Sequence, residues 1–90
     1  MTELIKRIDN AKKFKQLCEK HGITAIELNK RISRYASSLH PLSSRNVVIS
    51  RANLRKELEG GQMSDKLFVK ALKIIGLSDE EIKEHVELEA

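Results

Sequence analysis

The chain has 90 residues, with 17 Lys+Arg against 13 Asp+Glu and a formal charge of +4. That length supports one small core and excludes a large enclosed active-site cleft with its own supporting shell, while a sequence pI near 9.4 leans toward a polyanionic partner. The charge is unevenly placed, since residues 1–35 carry +5, residues 36–60 carry +2 and residues 61–90 carry −3, so one end attracts phosphate and the other repels it. No apolar run approaches the roughly 20 residues of a membrane span, and the first residues lack a signal-peptide core, so a soluble, cytoplasmic protein is expected. The single cysteine, Cys18, has no partner for an internal disulfide and no Cys or His at a zinc-binding spacing. It falls on the apolar side of its helix, where core packing is the expected role.

From Thr2 to His21, the residues Leu4, Ile5, Ile8, Ala11, Phe14, Leu17 and Cys18 recur at three- and four-residue steps, which predicts an amphipathic helix stopped by Gly22. Residues 1–13 read as a helical extension in front of the rest of the domain. Its neighbouring lysines Lys12, Lys13 and Lys15 suit either a solvated face or phosphate contacts. Thr24 and Glu27 have the spacing of a capping box, and Ile26, Leu28, Ile32 and Tyr35 supply apolar contacts to a second helix from about Ala25 to Ser37.

Pro41 then interrupts the pattern, because it cannot donate a backbone hydrogen bond and disfavours helical geometry in the residue before it. Residues 36–48 are accordingly expected as an enlarged loop, with Val47-Val48-Ile49 as either a helical turn or an extended approach to the next helix. The third helix is predicted from Ser50. Ser50 would cap it, Leu54 and Leu58 would face inward, and Gly60 would supply the left-handed residue that ends it. Ser64 can cap a fourth helix, Asp65 to Ile75, whose Leu67, Phe68, Ala71, Leu72, Ile74 and Ile75 predict the centre of the core. Ser78 and Glu81 form a second capping box, opening an acidic last helix from Asp79 to about Leu88 within the segment 79–90. The expected architecture is a single all-α domain, a compact bundle of about five helices.

The order of the segments Phe14–Gly22, Ile23–Ile32, Ile49–Gly60 and Phe68–Ser78 resembles the successive helices of Xre/Cro/lambda-repressor-type helix-turn-helix domains. The likeness spans most of residues 14–85 and rests on helix order, glycine stops and apolar spacing. In that family the second helix lies across the DNA backbone and the N-terminal residues of the third meet base edges in the major groove. The resemblance therefore implies a sequence-specific regulator of transcription that binds double-stranded DNA, of the small prokaryotic, phage or plasmid repressor kind. It implies base reading by Ser50, Arg51, Ala52, Asn53 and Arg55, with an arginine paired to guanine and Asn53 to adenine. It assigns Thr24, Lys30, Arg31, Arg34, Ser44, Arg45 and Lys56 to phosphate. A homodimer on two half-sites is expected, because one reading helix makes few base contacts.

Catalysis has little support in the sequence. His21, His40 and His85 stand far apart without a triad or metal-site arrangement, and Gly60-Gly61 lacks the lysine and spacing of a phosphate-cradling loop. No enzyme activity, cofactor or metal is expected. The rival reading is a protein-binding adaptor, antirepressor or antitoxin on the same scaffold, which would offer the 36–48 loop to another protein. RNA binding is poorly served, because Phe14, Tyr35 and Phe68 are the chain's aromatics and two of them suit the core.

Overall fold

Five helices run through residues 2–86, the part of the chain that the computed structural model describes: α1 (Thr2–Lys20), α2 (Ala25–Leu39), α3 (Ser44–Glu59), α4 (Asp65–Ile74) and α5 (Asp79–His85). The all-α bundle is as expected. Helix α5 ends at His85, where Val86 turns to an extended backbone (φ −134°, ψ 128°), short of the expected Leu88; residues 87–90 lie outside the described residues.

Helix α4 is the centre. Phe68, Ala71 and Leu72 are each 0% exposed, and Ile32 of α2, Leu54 and Leu58 of α3, Met63 of the α3–α4 connection and Ile82 of α5 join them in one core. Burying each large apolar side chain contributes about 1.5–3 kcal/mol. Cys18 belongs to this core, and burial pushes its thiol pKa up, with Arg31 offsetting part of that rise. The C-terminal half of α1 also contributes Phe14 and Leu17, whereas Leu4 and Ile5 in its first turns are exposed. Ile26, read as an apolar contact of α2, is 71% exposed.

Caps set the helix starts. Thr24, Ser64 and Ser78 each accept a hydrogen bond from the backbone N–H three residues on, as the sequence predicts. Only the Ser78–Glu81 box is complete, because the Glu27 carboxylate accepts from Arg31 Nε at 3.2 Å.

The α2–α3 connection differs from expectation. Helix α2 continues to Leu39 and α3 already begins at Ser44, so the predicted loop of residues 36–48 contracts to residues 40–43. Ser43 caps α3 by accepting from Asn46 N at 3.3 Å, and Ser50 lies half-buried in mid-helix. Val47, Val48 and Ile49 are helical, because their modest β-preference yields to a cap and to a partner helix. Pro41 occupies the turn, where its fixed backbone angle is tolerated. The α3 stop is also shifted by one residue: Gly60 keeps a helical φ of −73°, and Gly61 takes the left-handed φ of +78°.

Between α1 and α4 lies a polar junction that periodicity does not reveal. Asn10 is buried, and its amide donates to the Met63 carbonyl and to Asp65 Oδ1, both at 3.0 Å. Met63 N donates to the Arg7 carbonyl at 2.9 Å, and Lys6 Nζ pairs with Asp65 Oδ2 at 2.9 Å. Hydrogen bonds from Lys6 and then Asn10 hold the Asp65 carboxyl below its usual range.

Candidate functional site

Helices α2 and α3 reverse over the four residues 40–43 and share an open cleft of about 490 Å³. Asn29 and Ser33, one turn apart on α2, form one wall, and Val48, Arg51, Ala52, Arg55, Lys56 and Glu59 of α3 form the other. Arg51 and Arg55 are four residues apart, so both point along one flank of α3. Leu54 and Leu58 point into the core and fix the rotation of α3 that presents this flank. Sequence reasoning missed Asn29 and Ser33; their i, i+4 spacing on the less apolar flank of α2 was the available signal.

The charge in the cleft is predominantly positive. Arg55 Nε reaches Glu59 Oε1 at 3.3 Å, an exposed pair that screens part of one cation. Arg51 and Lys56 have no hydrogen-bond or ion-pair partner among the described residues. Their guanidinium and ammonium groups therefore remain available to an anion or to an acceptor on a base edge.

The residues expected to read bases separate into two groups. Arg51, Ala52 and Arg55 line the cleft, whereas Ser50 and Asn53 do not. Asn53 is exposed but, two residues from Arg51, it is turned by roughly 200° around the helix axis. Ser50–Asn53 are also not the start of α3. Its first turn carries Ser44, Arg45 and Asn46, all exposed, and Arg45 lies about two turns before Ala52 on the same side.

The residues expected to meet phosphate are similarly divided. Lys56 joins the cleft, and Lys30 and Arg34 are exposed on α2. Thr24 uses its hydroxyl to accept from Glu27 N at 3.2 Å. Arg31 is held by two protein acceptors, since its Nε donates to Glu27 and its Nη1 donates to the Ile75 carbonyl at 2.5 Å, closing the C-terminus of α4. Arg31 thus acts first as a tie between α2 and α4. On α1, Lys12, Lys13 and Lys15 are exposed.

Leu39 and Leu42 stand exposed at the α2–α3 turn, Leu42 at 99%, with Val48 and Ile49 exposed on α3. Among the described residues, no group of three or more His, Cys, Asp or Glu side chains is gathered as a metal site, and no helix is long and apolar enough to cross a membrane. Comparison with known protein families, curated proteins and solved structures finds no match to this chain.

Proposed function

We propose that the protein binds double-stranded DNA in a sequence-dependent way and regulates transcription, using α3 as its reading helix in the manner of Xre/Cro/lambda-repressor-like domains. The observation that carries this reading is the pairing of Arg51 and Arg55 on one exposed flank of α3, with Arg51 free of any partner among the described residues. An arginine so placed can offer two parallel N–H donors to guanine O6 and N7. The four-residue α2–α3 turn is of the length that joins helix-turn-helix pairs. The net positive charge supports attraction to the duplex.

The proposal assigns base reading to Arg51 and Arg55. Arg45, Lys56, Lys30 and Arg34 hold the backbone. A homodimer would place two such helices on successive half-sites.

Selection of bound duplexes from a random pool, with the mass of the complex measured alongside, tests the reading. An enriched inverted repeat bound by two copies is the expected result. Recovery of no preferred sequence would remove it.

The exposed apolar side chains Leu39, Leu42, Val48 and Ile49 favour a second reading, in which the turn between α2 and α3 docks on another protein. The two differ in salt response. Duplex affinity should fall by about 0.9 log units per log unit of salt for each phosphate contacted, whereas an apolar protein interface should respond weakly.

A further inference from the structure

On the flank of α2 away from α3 lies a second groove, of about 270 Å³, between α2 and the C-terminal turn of α4. Its walls include Arg31, Arg34, Tyr35 and Ser38 from α2 with Lys73 of α4 and Gly76 just after that helix, and no carboxylate lines it. Glu27 pairs with Arg31 at 3.2 Å from outside the groove, so the charges of Arg34 and Lys73 are the ones that face it without a carboxylate.

One of these three cations is held in place. The Arg31 guanidinium is fixed by the Ile75 carbonyl on Nη1 and by Glu27 on Nε, which leaves its remaining N–H groups for a further acceptor. Gly76 permits this approach, since its φ is +94° and a Cβ there would come within 3.1 Å of Arg31 Nη1. The Arg34 and Lys73 side chains have no hydrogen-bond or ion-pair partner among the described residues. Compensation of the α4 C-terminal dipole accounts for Arg31 and Lys73, but Arg34 projects from α2 and has no such role.

We infer that this α2–α4 groove is a phosphate-binding site, in which Arg31 is the preset donor and Arg34 and Lys73 close on the same anion. The chemistry suits a phosphodiester of a duplex backbone and a free phosphate group alike. In the duplex case, which rests on the DNA-binding reading above, the footprint straddles α2: the Arg51–Arg55 cleft lies on one flank, this groove on the other, and Lys30 lies on the exposed surface of the same helix.

The test uses the full chain, the double variant Arg34→Gln/Lys73→Gln and the control Lys83→Gln, an exposed cation of α5, with circular dichroism confirming equal helicity. Arg31 is left intact because it ties two helices together. In the first arm, inorganic pyrophosphate is titrated while the Arg31 and Arg34 side-chain Nε resonances are followed. The parent chain should show saturable shifts, and the double variant should lose the Arg31 shift. In the second arm, affinity for a random-sequence duplex is measured against salt. The slope should fall by about 0.9 for each cation that meets a phosphate, so by up to about 1.8 in the double variant. Pyrophosphate shifts with an unchanged duplex slope would support the site and assign it to a free phosphate group. Loss of the slope with no pyrophosphate shift would assign it to the duplex backbone. An Arg31 shift retained in the double variant, an equal slope change in Lys83→Gln, or no response in either arm would overturn the proposal.

Discussion

The α1–α4 junction and the α2–α3 cleft use similar residue types in opposite ways. At the junction Asn10, Met63, Asp65 and Lys6 meet one another, and the buried Asn10 amide donates twice. In the cleft Arg51 and Lys56 meet nothing among the described residues, and Arg55 has only an exposed partner. Burial makes unpaired polar groups expensive, so breaking the Asn10 hydrogen bonds at the junction destabilises the fold. The exposed cations contribute little to folding, which lets binding and stability be separated by substitution.

The largest effect is expected where neither region is touched. Phe68→Ala removes the most buried aromatic side chain and should cost about 3–5 kcal/mol, read as a lower denaturation midpoint with every binding activity lost alongside. Asn10→Ala should cost about 1–3 kcal/mol by leaving the Met63 carbonyl without its donor, while molecules that remain folded keep their duplex preference. Chemical denaturation combined with binding by the folded fraction checks both.

Arg51→Ala reverses that pattern. Its thermal midpoint should stay near that of the parent, with stability changed by no more than about 0.5 kcal/mol. Discrimination between base pairs at one operator position should fall by about 1–3 kcal/mol.

The helix start provides a finer separation. Ser43→Ala should cost about 0.5–2 kcal/mol, because it removes the acceptor for Asn46 N. Ser50→Ala should change stability by about 0.5 kcal/mol or less, as expected of a mid-helix position. Equal losses would place the start of α3 elsewhere.

A further small effect concerns pH. Asp65 has a carboxyl pKa lowered in the folded state from an ordinary 3.8, so its ion pair stabilises above that value and loses its effect as the pH falls through the lowered folded value. The pair is half-exposed, so about 1 kcal/mol or less is at stake. Asp65→Asn should flatten this acid dependence in urea midpoints taken from pH 5 to 2.

The sequence carried the order of five helices because three caps and the glycine stops are local signals, and because Phe68, Ala71 and Leu72 repeat at helical spacing. The α2–α3 connection was harder to read. Ser43, Ser44 and Ser50 are all chemically competent caps, and the residues alone do not say that the helix starts after Ser43. Adjacent glycines at 60 and 61 likewise leave the stop undetermined by one residue.

For the cleft, the type of residue was legible but its direction was not. Arg51, Asn53 and Arg55 look like one polar cluster in the linear chain, whereas helical rotation turns Asn53 away from the two arginines. The structural use of Arg31 depends on a carbonyl 44 residues along the chain. Asn10 also lay beyond reach, because nothing local distinguishes a buried amide with distant partners from a solvated one.

The most direct measurement takes the duplex recovered by selection and compares the parent chain with Arg51→Ala and Arg55→Ala on that sequence and on each of its single base-pair changes, at one salt concentration. Loss of preference confined to one or two base pairs, in proteins that melt as the parent does, is the predicted result. Uniform weakening on every duplex, or preference left intact in both variants, would contradict the assignment of base reading to this flank of α3.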